Sequence, residues 1–254
     1  METNDNIIDV SYVDTYVFKK EDYKFIKEFT YRETLDHIYL KSYIGTSSEV
    51  VIPDTFKDKP ITFVDKGFFD ECKVPITSLS LGDNLISFSA KIKNIKTLNK
   101  IRLGKKINCI ENLFKETNIL EVDLGNNHNY KFYEGCLLSG DGKNLIWNQP
   151  WIKKVPENVE VISTSCQFYD SIYLPSTILQ VHADSFKTRN MVIYYGGGKL
   201  EWTKVKFVKT LTPRDLKKGI FDNELQGKSL QHKFKKIGKR INFEIKFKYL
   251  GRKY

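Results

Sequence analysis

The most regular feature of the sequence is a short apolar segment that ends in proline or glycine and returns about every 20 to 30 residues. A period of about 20–29 residues is typical of a solenoid whose successive repeats stack on one another. The pattern predicts a mainly β repeat solenoid with short irregular or helical turns, in which these segments form one parallel sheet of seven strands. They are VVIP (50–53), LSLG (79–82), IRLG (101–104), VDLG (122–125), KKVP (153–156), IYLP (172–175) and MVIY (191–194).

A second pattern lies between these segments. ITFVDKGFFDEC (61–72), INCIENLFKETN (107–118) and LQVHADSFKTRN (179–190) each combine an apolar pair, a polar break and an aromatic residue. In a coil that closes on itself, this part supplies the opposite wall, and its aromatic side chains point into the shared interior.

The interval between the segments at 122–125 and 153–156 is long because it contains a predicted β-hairpin. Residues 130–149 are predicted to form two strands joined by Ser139-Gly140-Asp141-Gly142, a composition typical of a hairpin turn. A hairpin inserted between repeats would lengthen that step without breaking the stack.

The order of motifs over 39–85 resembles the opening of a BspA-like leucine-rich repeat domain. A polar strand, Gly45-Thr46, VVIP, the step Lys59-Pro60-Ile61 and an F-x-x-C segment ending at Cys72 follow in that order. The hairpin phrases resemble an insertion common in that family, so the resemblance covers roughly 35–198, although glycine replaces proline at 82, 104 and 125. It implies a right-handed solenoid with a parallel sheet, used for binding and not for catalysis.

Alternation along the strands predicts which side chains leave the core. Lys100 and Arg102 point outward, and so do Glu121 and Asp123 one repeat later, so Lys100 should lie beside Glu121 and Arg102 beside Asp123. The two pairs indicate either a mixed-charge recognition patch or an ion-pair ladder that keeps the sheet soluble. The candidate protein-binding residues of the exposed sheet face are Ser80, Arg102, Asp123 and Tyr173.

The ends of the chain are predicted to differ from the repeats at 39–198. Residues 1–38 should form an N-terminal cap, because a solenoid otherwise exposes its interior at each end. Within the cap, aromatic residues among charges over 17–29 predict a short amphipathic helix or turn. Residues 199–254 should form a β-rich, basic C-terminal module.

Charge is concentrated in that last module. The chain has 41 basic and 31 acidic side chains, a net charge of +10, whereas residues 1–198 carry about −2 and residues 199–254 about +12. Residues 211–221 predict a short helix, and strict alternation over 241–249 predicts a half-buried strand.

Two hypotheses account for the basic side chains. They contact phosphates of a nucleic acid or another anionic surface through residues 228–254, or they protect an edge strand from aggregation. The candidate anion-binding residues are Lys233, Lys235, Lys236, Lys239, Arg240, Lys246, Lys248, Arg252 and Lys253.

The sequence contains no motif typical of a catalytic, metal-binding or cofactor-binding site. The cysteines have no CxxC or CxxH spacing and the histidines have no partners at metal-ligand spacing, so no metal, cofactor or catalytic residue is predicted. The four cysteines are expected to be reduced and buried.

The first residues lack a signal-peptide pattern, and no apolar run is long enough for a membrane span. The expected location is therefore cytoplasmic, although a secreted chain trimmed of its signal would look the same. The expected function is recognition of a protein partner, and the oligomeric state stays open.

Overall fold

The computed structural model describes residues 24–26, 28–92, 95–110, 113–114, 117–210 and 241–247. This part of the chain is mainly β, with 3-10 turns at Ile95–Thr97 and Ala183–Ser185 and one α-helix, α1 (Lys199–Lys204). The strands, in chain order, are β1 (Lys24–Ile26), β2 (Phe29–Glu33), β3 (Ile38–Tyr43), β4 (Glu49–Val51), β5 (Thr55–Phe56), β6 (Lys59–Val64), β7 (Ser78–Ser80), β8 (Lys100–Arg102), β9 (Glu121–Asp123), β10 (Tyr130–Tyr133), β11 (Cys136–Ser139), β12 (Asn144–Asn148), β13 (Val161–Ile162), β14 (Ser171–Leu174), β15 (Gln180–His182), β16 (Asn190–Tyr195), β17 (Lys206–Val208) and β18 (Asn242–Phe247).

The sheet nearest the N-terminus has the order β1-β2-β3-β6-β5. Strands β1, β2 and β3 are antiparallel, and Lys24 pairs with Tyr31. The prediction of a helix or turn over 17–29 is therefore wrong at 24–26, while 17–23 lie outside the described residues. Aromatic and β-branched residues suit a strand once a neighbouring edge is available for pairing, and here the next strand in sequence, β2, supplies it, since Ile26 pairs with Phe29.

The first parallel sheet contains β4, β7, β8 and β9 in chain order. Its strands are the predicted segments at 50–53, 79–82, 101–104 and 122–125, and Leu79 pairs with Ile101 while Ile101 pairs with Val122. Leu79 and Ile101 are completely buried, as expected for the inward positions of these strands. The alternation and the one-repeat register in this sheet are confirmed.

The hairpin differs from the prediction. It has three strands, β10, β11 and β12, joined by an additional turn at Glu134-Gly135 and by the predicted turn at 139–142. The hairpin also interrupts the parallel sheet, so the prediction of a single seven-stranded sheet is wrong. After the hairpin a second parallel sheet forms from β14, β16 and β18, and KKVP contributes only an isolated bridge between Lys154 and Tyr173.

From the hairpin onward, the opposite wall is a six-stranded sheet with the order β10-β11-β12-β13-β15-β17, which includes the hairpin strands themselves. From β12 onward its strands are parallel. Before the hairpin, the same wall holds an isolated bridge between Ser87 and Cys109. The aromatic side chains predicted to face the interior, Phe68, Phe69, Phe114 and Phe186, are all buried.

Two hydrophobic cores fill the space between the walls. One extends from Phe29 to Trp147 and the other from Cys136 to Ile241. Strand β11 lies between them, because Leu137 belongs to the first core and Leu138 to the second. Successive side chains of a strand point to opposite faces, so β11 contributes to both cores. Strand β12 does so as well, with Leu145 in the second core and Trp147 in the first.

The C-terminal strand β18 pairs in parallel with β16, and Ile193 faces Ile245. The predicted alternation is confirmed over 241–247, where Phe243 and Phe247 pack against the second core and Glu244 and Lys246 are exposed. Strand β17 likewise pairs with β15. Two strands of 199–254 thus pair with strands of 39–198, while the predicted domain boundaries stay predictions.

Candidate binding faces of the two parallel sheets

The exposed face of the first parallel sheet consists of two rows of side chains. One row contains Lys100 and Glu121, whose charged atoms are 2.7 Å apart. The other contains Arg102 and Asp123, whose nearest charged atoms are 3.9 Å apart. These are the neighbours that the repeat offset predicts. Hydrogen bonding to Glu121 raises the pKa of Lys100, which keeps its ammonium group protonated.

Arg102 makes further contacts that tie consecutive repeats together. Its guanidinium donates to the Leu81 carbonyl oxygen at 3.2 Å and to Asp83 Oδ1 at 3.0 Å. Burial raises the pKa of Asp83, but hydrogen bonds from the Lys105 N–H and from Arg102 outweigh it, so the net pKa is lowered. Because Arg102 and Asp123 contact groups of their own chain, this face favours the ion-pair ladder over the recognition patch.

The second parallel sheet presents a different surface, which we name the tyrosine face. It consists of one residue from each neighbouring strand, in an order that the pairing determines: Lys154, Tyr173, Tyr194 and Lys246. The ammonium groups at the two ends lie over the rings, Lys154 Nζ being 5.3 Å from the Tyr173 centroid and Lys246 Nζ 5.3 Å from the Tyr194 centroid. Such contacts are cation–π interactions, which contribute about 0.5–1 kcal/mol each at exposed sites.

The ends of the tyrosine face also carry carboxylates. Glu157 lies 2.9 Å from Lys154 and accepts a 3.4 Å hydrogen bond from the Tyr173 hydroxyl, while Glu244 lies 3.5 Å from Lys246. Burial and then the charge of Glu157 raise the pKa of Tyr173, so its hydroxyl stays protonated and can donate.

The structure places the predicted protein-binding residues on two different sheets and brings one predicted anion-binding residue beside Tyr173. Ser80, Arg102 and Asp123 form one row of the first sheet, whereas Tyr173 lies in the second sheet. Lys246, predicted to bind anions, shares the tyrosine face with Tyr173. The other predicted anion-binding residues lie outside the described residues: Lys233, Lys235, Lys236, Lys239, Arg240, Lys248, Arg252 and Lys253.

Sequence reasoning missed Tyr194 and Lys154 as members of this face. Tyr194 follows the buried Ile193, so the alternation applied to the other strands also assigns it outward. Lys154 had no such signal, because KKVP is too short to define two faces and forms only a single bridge.

A cleft adjoins the tyrosine face, between the hairpin and the segment 154–158. Its volume is about 690 Å³, and Lys154 lines it as well as covering Tyr173. Phe132, Leu138 and Pro156 contribute apolar surface to the lining. The cleft and the tyrosine face therefore form one continuous surface that meets at Lys154.

One group of side chains resembles a catalytic triad in composition only. The His182 ring contacts Thr210 Oγ1 through Nε2 at 3.2 Å and approaches Asp184 Oδ2 through Nδ1 at 3.7 Å. However, the Asp184 backbone N–H donates to Nδ1, so the neutral ring carries its proton on Nε2. A general base for Thr210 would need an unprotonated Nε2, and the geometry is instead that of a cap on the 3-10 turn. Within the ranges that the structure covers, no three His, Cys, Asp or Glu side chains converge on a metal position.

Two solved structures are similar to this chain. A leucine-rich cell surface protein from Faecalibacterium prausnitzii A2-165 is 11% identical, with 72% of this chain and 97% of that chain covered and a TM-score of 0.24. The pneumococcal vaccine antigen PcpA is 12% identical, with 68% and 73% covered and a TM-score of 0.32. No protein-family model and no curated protein matches the sequence. The BspA-like assignment and the right-handed stack stay predictions.

Neither similar structure is described as an enzyme. The prediction of a cytoplasmic location is wrong on this comparison, because one neighbour is described as a cell surface protein and the other as a vaccine antigen. That prediction depended on the lack of a signal-like segment, a feature that does not by itself define a compartment. None of the helices in the described ranges has the length and apolarity of a membrane-spanning helix.

Proposed function

We propose that the chain is a non-catalytic recognition scaffold that binds a protein partner through the tyrosine face. The adjacent outward positions of Tyr173 and Tyr194 on paired strands carry this proposal. Tyrosine is enriched among the residues that dominate binding energy, because a rigid ring buries a large area and its hydroxyl still forms a hydrogen bond.

The same proposal includes the finer description of the fold. We propose one right-handed stack of BspA-like leucine-rich repeats, interrupted by the hairpin. Its support is the parallel register of β7, β8 and β9 and of β14 and β16 at offsets of one repeat. A stack of this kind leaves one sheet face exposed along its length, which suits it to binding an extended protein surface.

The test compares two matched double variants of the full chain. Tyr173→Ser with Tyr194→Ser removes both rings from the tyrosine face, and Ser78→Ala with Ser80→Ala changes the first sheet face. Partners captured by the wild-type chain are identified and their affinities measured. The tyrosine variant should bind at least tenfold more weakly, since hot-spot truncations cost more than about 1–2 kcal/mol, and the serine variant should bind like the wild type. Equal affinities for the two variants would contradict the proposal.

The binding of nucleic acid or another anionic surface is the alternative, and one further arm tests it. Replacement of Lys233, Lys235 and Lys236 by glutamine leaves the residues of β18 unchanged, whereas deletion of 228–254 would remove them. Retention of the wild-type chain on heparin or duplex DNA at low salt, lost in this variant and unaffected by the tyrosine variant, would support the alternative. Without such retention, the basic side chains do not serve phosphate binding.

A further inference from the structure

Strand β18 ends the second parallel sheet, and its inward side chains are covered less than those of the strand before it. Ile193 and Tyr195 of β16 are completely buried. Ile245 and Phe247, which pair with them on β18, pack against the same core but are only half-buried. In a stack each strand is covered by the next one, so one further strand beside β18 would bury more apolar surface.

The backbone of β18 also has hydrogen-bonding groups that point away from β16. The Asn242 N–H donates to the Arg189 carbonyl oxygen at 2.7 Å. Alternate residues of a paired strand bond the same neighbour, so the even-numbered residues of β18 bond β16, while Ile245 directs its N–H and C=O to the opposite edge. Among the strands of the described ranges, β18 pairs with β16 alone. An edge of this kind is a template for the addition of another strand.

The sequence of β18 complements itself when two copies pair in antiparallel register about Ile245. In that register Glu244 lies opposite Lys246 of the second copy on the outward face. On the apolar face, Phe243 lies opposite Phe247 of the second copy. Opposite charges and aromatic rings directly across an antiparallel pair both stabilise it.

The neighbouring registers lack this match. A centre at Glu244 or at Lys246 places that residue opposite its own copy, so that like charges repel. A centre between two residues places inward side chains opposite outward ones and would expose the apolar row. Charge and burial together therefore favour a single register, in which a two-fold axis passes through Ile245.

We propose that the outer edge of β18 binds a second copy of this chain, edge to edge and antiparallel about Ile245. The second parallel sheets of the two copies then form one continuous sheet. A two-fold axis normal to that sheet keeps both tyrosine faces on the same side. This inference goes beyond the proposed function and does not depend on it, because the contact is made by a strand edge and not by the two tyrosines.

The mass of the full chain in solution tests the contact. Sedimentation equilibrium over about 1–100 μM covers the concentrations at which small interfaces associate. The wild-type chain should approach twice its monomer mass as its concentration rises. A monomeric mass over the whole range would overturn the inference and would leave the edge to another segment of this chain or to a different partner.

Two charge reversals test the register. Glu244→Lys places like charges opposite each other at both ends of the pairing, and so does Lys246→Glu. Each variant alone should dimerise at least tenfold more weakly, because two attractive pairs become repulsive. An equimolar mixture of the two variants should restore association, since every pair across the edge then has opposite charges. Unchanged association in either single variant, or no recovery in the mixture, would overturn the inference.

Folding and net charge are controlled separately. The Glu244 and Lys246 side chains are 63% and 47% exposed, so both reversals should melt like the wild type at concentrations where each chain is monomeric. Glu71→Lys makes the same change in net charge at an exposed position outside the second parallel sheet, and it should leave association unchanged. If Glu71→Lys weakened the dimer as much as Glu244→Lys, net charge would be the cause and the inference would be overturned.

The outcome is distinguishable from that of the proposed function. The Tyr173→Ser, Tyr194→Ser variant should dimerise like the wild type. If the wild-type chain stays monomeric while partner binding still depends on the two tyrosines, only the inference about the β18 edge is overturned.

Discussion

Burial changes the chemistry of two cysteine residues. All four cysteines are free, but only Cys136 and Cys166 are buried, whereas Cys72 and Cys109 are half-buried. The expectation of four buried thiols is thus wrong for two of them. Removal from water raises the pKa of Cys136 and of Cys166 to about 12, because a thiolate is poorly stabilised in an apolar core.

These two thiols should be unreactive in the native chain and should weaken it at high pH. The unfolded thiol ionises near pH 9.0 and the folded one near 12, so the unfolded state loses its proton first. The free energy of unfolding should therefore fall as pH rises from 9 to 12, by roughly 1–2 kcal/mol per thiol at pH 10.5. Urea titrations at pH 8 and 10.5 measure this effect.

The Cys136→Ala, Cys166→Ala double variant is the control, since its stability should change less with pH. In the wild-type chain at pH 8, a thiol reagent should label Cys72 and Cys109 and reach the two core cysteines only after unfolding. Rapid native labelling of Cys166 would contradict this account.

At the scale of the elements, the strand faces and their register follow from the sequence. The side-chain period of two is a local property of an extended chain, so the outward positions of Lys100 and Glu121 could be read directly. Pairings between distant segments, such as that of β16 with β18, could not. Strand β1 and the turn at Glu134-Gly135 belong to local hairpins, in which Ile26 pairs with Phe29 and Tyr133 with Cys136, and no turn motif in the sequence marked them.

The glycines that replace proline at strand ends also have a structural reason. A Cβ on Gly104 would lie 2.0 Å from the Gly82 carbonyl oxygen, and one on Gly82 would lie 2.6 Å from the Pro53 carbonyl oxygen. Consecutive repeats approach each other through backbone alone at this level, so the first sheet has no room for side chains there.

Gly104→Ala should therefore destabilise the chain by about 2 kcal/mol or more, because backbone must move to admit the methyl group. Chemical denaturation measures the change. Gly142→Asn is the matched control: its φ of 80° suits asparagine and a Cβ there meets open space, so the expected change is below about 1 kcal/mol. Similar losses in both variants would show that close packing is not the cause.

At the scale of the whole molecule, the hairpin has a larger role than an insertion in a continuous stack. It separates the two parallel sheets, and the Gln149 side chain bonds the Leu120 carbonyl oxygen at 3.0 Å where a backbone ladder would otherwise continue. Leu137 and Leu138 of β11 lie in different cores, so a substitution at each position should destabilise mainly its own core.

Leu137→Ala and Leu138→Ala test that role as a matched pair. Each should cost about 2–5 kcal/mol, because each leaves a cavity in a buried cluster. In hydrogen exchange by mass spectrometry, Leu137→Ala should lower protection mainly over 78–102 and Leu138→Ala mainly over 161–182. Identical exchange patterns would mean that the two cores act as one.

From the sequence alone we could predict the repeat period, the inward and outward positions of the strands, the buried aromatic wall and the concentration of charge near the C-terminus. These features depend on local periodicity and composition. The division of the parallel strands into two sheets depends on the three-dimensional fold, and so does the placement of Tyr173, Tyr194 and Lys246 on one face. Strand β18 reaches that face by pairing with β16, which is far from it in sequence. Such a pairing depends on which strand edge the rest of the fold leaves exposed, because an exposed edge still has backbone groups available for hydrogen bonds.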